Sequence, residues 1–224
     1  MNLTSFIKSF SRDELRDIIL SVLVLGFLFS LSNFTATRFL FSIFIVGLAF
    51  VLHELGHRYM ALDKGFEARY VAWPTGLMLS LVFGIISGGR FIFAAPGAVV
   101  IGRRISHKYK YPRITREDYG KIALAGPFMN IVLAFILSLF VKYNPLIMYG
   151  VYINLFLAIF NLLPIPPLDG SKVFFWSRAV WLMTFVLLLL AFIFFETVAS
   201  FLYSIYLLII SIIILFGGIG YKPF

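Results

Sequence analysis

Cysteine is absent from the 224 residues, which excludes a disulfide framework. Charge is sparse: Asp, Glu, Lys and Arg make up 13% of the chain, where a soluble domain carries about a quarter. Acids are the scarcest, 10 against 19 basic residues, for a formal net charge of +9. What stands in excess is apolar side chain, 61% of the total, gathered in runs long enough to cross a bilayer. A water-soluble globule is thereby excluded. In such a chain a positive balance belongs to loops beside anionic lipid rather than to a nucleic-acid surface. No small-residue cleavage site follows the first apolar run, so that run is expected to remain as a helix.

Hydropathy predicts a single-domain, all-α membrane protein with about six transmembrane helices, near residues 12–33, 39–62, 122–141, 146–163, 179–195 and 198–219. Ser11, with Glu14 three residues on, reads as a capping box opening the first. Residues 67–102 hold two apolar pieces divided by Ser87-Gly88-Gly89-Arg90, each too short to cross alone. That segment reads as a membrane-associated hairpin, re-entrant or β-hairpin-like, followed by a basic cytoplasmic loop over 103–121. Charge bias supports the assignment. If the hairpin returns to its starting side, every basic residue except Arg38 and Lys142 shares one side with both termini, and the positive-inside rule makes that side the cytoplasm. One extra crossing would carry Lys172, Arg178 and Lys222 outward and break the asymmetry.

Inside the second span lie His53, Glu54 and His57, the pattern His-Glu-x-x-His. Side chains four apart share a helix face, so both imidazoles can meet one metal. Glu54 falls beside them, placed to accept a proton from water on that metal. Zinc suits two nitrogen ligands with a position left for water. An ordinary solvated helix face also carries such patterns, but each ionisable group at the bilayer centre costs roughly 2.5–3.5 kcal/mol. Three together call for a role.

A hydrolytic zinc site needs a third protein ligand. Most remaining acids lie in polar segments among other charges, and Glu196 falls at the turn on the opposite side. Asp169 follows the fourth span in a Pro-rich, otherwise apolar stretch on the same side as His53 and His57. The competing reading is an Asp-Gly turn. His107, in the basic loop, reads as solvated.

These features together resemble the site-2 protease family of polytopic intramembrane zinc metalloproteases. The resemblance is carried by His53 to His57, by Ala125-Gly126-Pro127 with Asn130, and by Asn161 through Pro164 and Pro167 to Leu168-Asp169-Gly170. It implies one zinc per chain held by His53, His57 and Asp169, with Glu54 as catalytic base. It also implies that Asn161 positions substrate or stabilises the oxyanion. Asn130 has either a structural part, as an interhelical hydrogen bond, or a part in substrate binding. The expected partners are a transmembrane protein substrate and the lipid bilayer, with no nucleic acid and no small-molecule cofactor besides the metal. One departure is visible: the family often reads Asp-Gly-Gly-Arg, whereas Ser171 and Lys172 follow Gly170 here.

Two chemical demands follow. Water must reach a membrane-embedded site, and a helical substrate must unwind, leaving backbone groups that an edge strand after the second helix could pair by strand addition. The rival classes are a metal-ion transporter, which calls for polar groups at several depths, and a catalytically inactive scaffold that binds membrane helices. Another membrane peptidase with the same His-Glu-x-x-His, such as a prenyl-protein protease, would place its third ligand elsewhere.

Overall fold

In the computed structural model, residues 10–103, 114–194 and 205 are described. The chain opens on α1 (Arg12–Ser30), continued by a 3-10 turn (Leu31–Asn33), and turns back as α2 (Ala36–Asp63). There follow β1 (Phe66–Ala72), α3 (Pro74–Ile86) and β2 (Gly97–Arg103). The remainder is α4 (Arg116–Ser138), α5 (Pro145–Asn161), α6 (Asp169–Trp176) and α7 (Arg178–Ile193). Among the described residues, three helices are long and apolar enough to cross a membrane: α1 with its 3-10 extension, α2 and α4. At 28 residues α2 is about 42 Å long, more than a bilayer's hydrocarbon thickness. The shorter apolar helices α3, α5 and α7 do not reach that length. The sixth expected span, 198–219, lies almost wholly outside the described residues, as does His107.

Polarity is distributed inside out. Leu40, Phe44, Met78 and Leu187 are each more than 60% exposed, while Glu14, His53, Glu54, His57, Arg58, Asn130, Asn154 and Asp169 are buried. Such a surface is matched to lipid, not water. Small residues bring the helices together: a Cβ at Gly26 would stand 2.9 Å from the Ile43 backbone, and one at Gly56 2.6 Å from Ala125 O. Glycine therefore sets the α1–α2 and α2–α4 crossings, the packing device of membrane bundles.

The segment after α2 differs from the expected hairpin in one respect: a helix stands between its two strands. β1 and β2 pair antiparallel with Phe66 opposite Arg103 and Ala72 opposite Gly97. The excursion from 73 to 96 thus leaves and returns at one point, which is re-entrant geometry. Its outgoing limb is α3, opened by Pro74 at N1. Its tip turns on Gly88 (φ +62°) and Gly89 (φ +77°), a conformation only glycine adopts without strain. A Cβ on Gly89 would come 2.8 Å from Leu31 and the Ser32 amide, so the tip packs on the far end of α1. Arg90 is carried with it to the end of the bundle opposite Arg12. Charge counting keeps Arg90 beside Arg12, because a linear sequence does not show how far such a limb penetrates.

Helix ends are set by local signals that extend past the apolar runs. Thr115 and Asp118 form a reciprocal capping box, so α4 begins at Arg116, inside the stretch expected to be loop up to residue 121. Thr35 accepts from the Arg38 amide at 3.1 Å and starts α2 earlier than residue 39. At α1 only half of the expected box forms. Ser11 accepts from the Glu14 amide at 3.1 Å, but the Glu14 carboxylate turns inward to Arg58 and to the amide of Tyr70.

Candidate metal centre

The α2 helix places His53 and His57 one turn apart on its buried face, 5% and 1% exposed, with ring centroids 4.7 Å apart. Facing them is α4. His57 Nδ1 donates to Ile122 O at 2.7 Å, and His53 Nδ1 donates to Asn130 Oδ1 at 2.6 Å. Ile122 and Asn130 are eight residues apart, two helical turns, and so meet the two rings from one face. Asn130 is itself held: its Nδ2 donates to Ala49 O and to Asn154 Oδ1, both at 3.2 Å. Asn154 in turn donates to Gly150 O at 2.9 Å. This amide relay ties α2, α4 and α5 together around one imidazole.

With both Nδ1 atoms donating, both Nε2 atoms present lone pairs. They point at the same carboxylate oxygen: Asp169 Oδ2 lies 3.3 Å from His53 Nε2 and 3.0 Å from His57 Nε2. The three ligand atoms lie within 4.8 Å of one another, all on buried residues. Three acceptors facing each other without a proton between them repel in a low-dielectric interior, and a cation among them removes that conflict. The donor set, two imidazole nitrogens and one carboxylate oxygen, is that of catalytic zinc, with a fourth position free for water. Gly126 keeps the space open, since a Cβ there would stand 2.6 Å from His53 Nε2 and closer still to His57. The residues present fit the metal.

Asp169 arrives from a separate part of the chain. It is the first residue of α6, a helix hydropathy did not predict because it is short and follows the Pro164–Leu168 turn. Gly170 lets that turn fold against the end of α5: a Cβ would meet the backbone of Leu162 and Leu163 O. The second Asp169 oxygen, Oδ1, accepts from Lys172 Nζ at 3.0 Å.

Around the site lies a small cavity of about 30 Å³, enough for one or two waters. Its walls include His53, Glu54, His57, Asn161, Asp169 and the β2 residues Gly97 to Val99. Asn161 is on the wall, but its Nδ2 donates to Leu157 O at 2.9 Å, back into its own helix. Asn130 also lines the cavity, with its polar atoms bonded to His53, Ala49 and Asn154. Sequence reading missed Asn154, Lys172, the Ile122 carbonyl and Gly126's part in making room. The one available signal was a lone polar residue, Asn154, in the middle of an apolar run.

A His-Glu-x-x-His helix that meets a later Asp in a group able to hold a metal ion, buried in an apolar helical bundle, fits the class of membrane-associated metallopeptidase scaffolds. Residues 41–146 and 143–183 match Peptidase family M50, and the chain belongs to this family, the site-2 proteases. It is 44% identical over 179 residues to a protein of Methanocaldococcus jannaschii, covering 77% of this chain and 88% of that one. It is 30% identical over 152 residues to a protein of Bacillus subtilis, covering 56% and 63%. Both relatives bear the name "putative zinc metalloprotease". No solved structure matches the chain significantly.

Proposed function

We propose that this protein is an intramembrane zinc metalloprotease that hydrolyses a peptide bond within or next to a transmembrane helix of a substrate protein. The observation that carries the reading is the convergence of His53 Nε2, His57 Nε2 and Asp169 Oδ2 beside Glu54 in a water-sized cavity. Family membership and the relatives' names support the zinc protease chemistry. The apolar exterior supports the membrane setting.

Zinc in this donor set would polarise a carbonyl and make water nucleophilic at neutral pH. Glu54 takes the water's proton and returns it to the leaving amine, work worth typically about 10²–10⁴-fold. Asn161, on the cavity wall, is the candidate amide for substrate or oxyanion; to serve, it releases Leu157 O.

The sheet supports an extended substrate. Tyr70 and Ala72 of β1 direct their amides outward to Glu14 Oε1 (3.0 Å) and Asp17 Oδ2 (3.1 Å), so α1 already fills that edge. Their partners Val99 and Gly97 direct backbone groups to the opposite edge by antiparallel alternation, and both residues line the cavity. A substrate strand laid on β2 would present its carbonyls to the site. Among the described residues this is the one His/Asp/Glu group able to hold an ion, which favours a protease over a transporter with sites at several depths. The bias of Lys and Arg along the sequence supports a site in the cytoplasmic half of the bilayer. The test is Glu54→Gln, assayed for zinc content and for cleavage of single-span substrates with and without chelator. Retained zinc with cleavage lost is expected; undiminished cleavage would contradict the proposal.

A further inference from the structure

We propose that Lys172 is a positioning residue for the metal ligand Asp169: it holds Oδ1 so that Oδ2 alone is offered to the ion. The inference rests on the zinc-site reading above and adds a residue to it.

The two oxygens of Asp169 have separate partners. Oδ2 faces both Nε2 atoms, at 3.0 and 3.3 Å, and Oδ1 accepts from Lys172 Nζ at 3.0 Å. An exposed Lys–Asp pair at this spacing would contribute little. Here the Asp169 side chain is 8% exposed and Lys172 24%, so the ammonium is the donor that meets the far oxygen where bulk water is mostly excluded. The geometry is also fixed from both ends. Asp169 and Lys172 lie on one face of the first turn of α6, three residues apart, and α6 is anchored by Ser171, whose hydroxyl donates to Leu168 O at 2.7 Å. Rotation of the carboxylate about its Cβ–Cγ bond would swap its oxygens or turn both from the imidazoles. The Lys172 bond opposes that rotation, just as Asn130 opposes rotation of the His53 ring. Each of the three ligands then has its own orienting group: the Ile122 carbonyl, the Asn130 amide and the Lys172 ammonium. Outer partners of this kind typically account for about 10–100-fold in metal affinity.

The position is one where the chain reads Ser-Lys after Asp-Gly. The requirement is a long cationic side chain three residues after the ligand, and an arginine meets it with the same charge.

The experiment measures zinc affinity of the purified full-length protein in detergent by competition with a chromogenic chelator. Wild type, Lys172→Met and Lys172→Arg are compared, together with the thermal midpoint of each metal-free form. Lys172→Met keeps the length of the stem and removes the ammonium. The expected result is zinc affinity about 10–100-fold weaker in Lys172→Met, within a few-fold of wild type in Lys172→Arg, and a metal-free midpoint unchanged in both. Lys172→Met binding zinc as tightly as wild type, or more tightly, overturns the proposal while leaving the zinc site intact. An equal loss in Lys172→Arg and Lys172→Met, or a drop in the metal-free midpoint that accounts for the weaker binding, overturns it as well. Wild-type protein that holds no zinc overturns both this proposal and the protease reading beneath it.

Discussion

Asn130 Oδ1 lies 2.6 Å from His53 Nδ1, and that bond decides which nitrogen of the ring faces Asp169. A residue 77 positions away in the chain thereby fixes the tautomer of a candidate ligand on another helix. Replacing Asn130 by Ala frees the ring to rotate and leaves the Asn154 carbonyl without its donor. Zinc affinity is expected to fall about 10–100-fold, measured by chelator competition. Unchanged affinity would show that ring orientation is set elsewhere.

Gly126 is expected to be intolerant of even one methyl group. Its Cβ would occupy the space beside His53 Nε2 and His57 Nε2, on the side where the ion is to be bound. In Gly126→Ala, metal analysis after dialysis should fall from roughly one zinc per chain to near zero, with helicity by circular dichroism preserved. Full zinc occupancy in that variant would mean the rings do not hold an ion in this arrangement.

Much of the candidate site, though less of its support, was legible in the sequence. His53, Glu54 and His57 announce themselves because ionisable groups four apart in an apolar run have few other uses. Asp169 could be singled out because polar residues beside membrane spans are few. The orienting groups were hidden for the opposite reason: Ile122 acts through a carbonyl every residue has, and Lys172 looks like any loop lysine. Glu14 carried a real local signal that pointed the wrong way. Its spacing from Ser11 fits a capping box, yet burial against Arg58 offers a carboxylate more than an exposed helix end does. The α3 helix was illegible because residues 77–86 are apolar on every face, so neither period stands out.

That buried pair leads to a contrast between neighbours. Glu14 and Arg58 are both under 10% exposed, and Glu14 also accepts from the Tyr70 amide at 3.0 Å. Asp13, one residue earlier, has a side chain 68% exposed in a 3.7 Å pair with Arg16. Glu14→Ala removes a buried ion pair with Arg58 and the acceptor for the Tyr70 amide, and should cost about 3–5 kcal/mol. Asp13→Ala should cost less than about 1 kcal/mol. Unfolding of both variants in mixed micelles compares them directly, and similar losses would contradict the burial argument.

The edge of β2 that faces away from β1 makes a positional prediction with proline. Val99 directs its amide away from β1, whereas Ala98 pairs with Val71. Val99→Pro removes an outward donor at a position where an edge strand tolerates proline. It should slow cleavage of a transmembrane substrate by about 10²-fold, the scale of a misplaced substrate, while zinc content stays unchanged. Ala98→Pro breaks the β1–β2 ladder instead and should lower the unfolding midpoint. Undiminished cleavage by Val99→Pro would remove β2 as the substrate's docking edge.

The most direct measurement reconstitutes the zinc-loaded protein in liposomes with a single-span substrate and maps the cut by mass spectrometry. The expected result is a new terminus inside or at the cytoplasmic border of the substrate's apolar span, absent when chelator is added and absent with Glu54→Gln. A cut that persists in chelator, or one confined to the substrate's soluble segments, would contradict it.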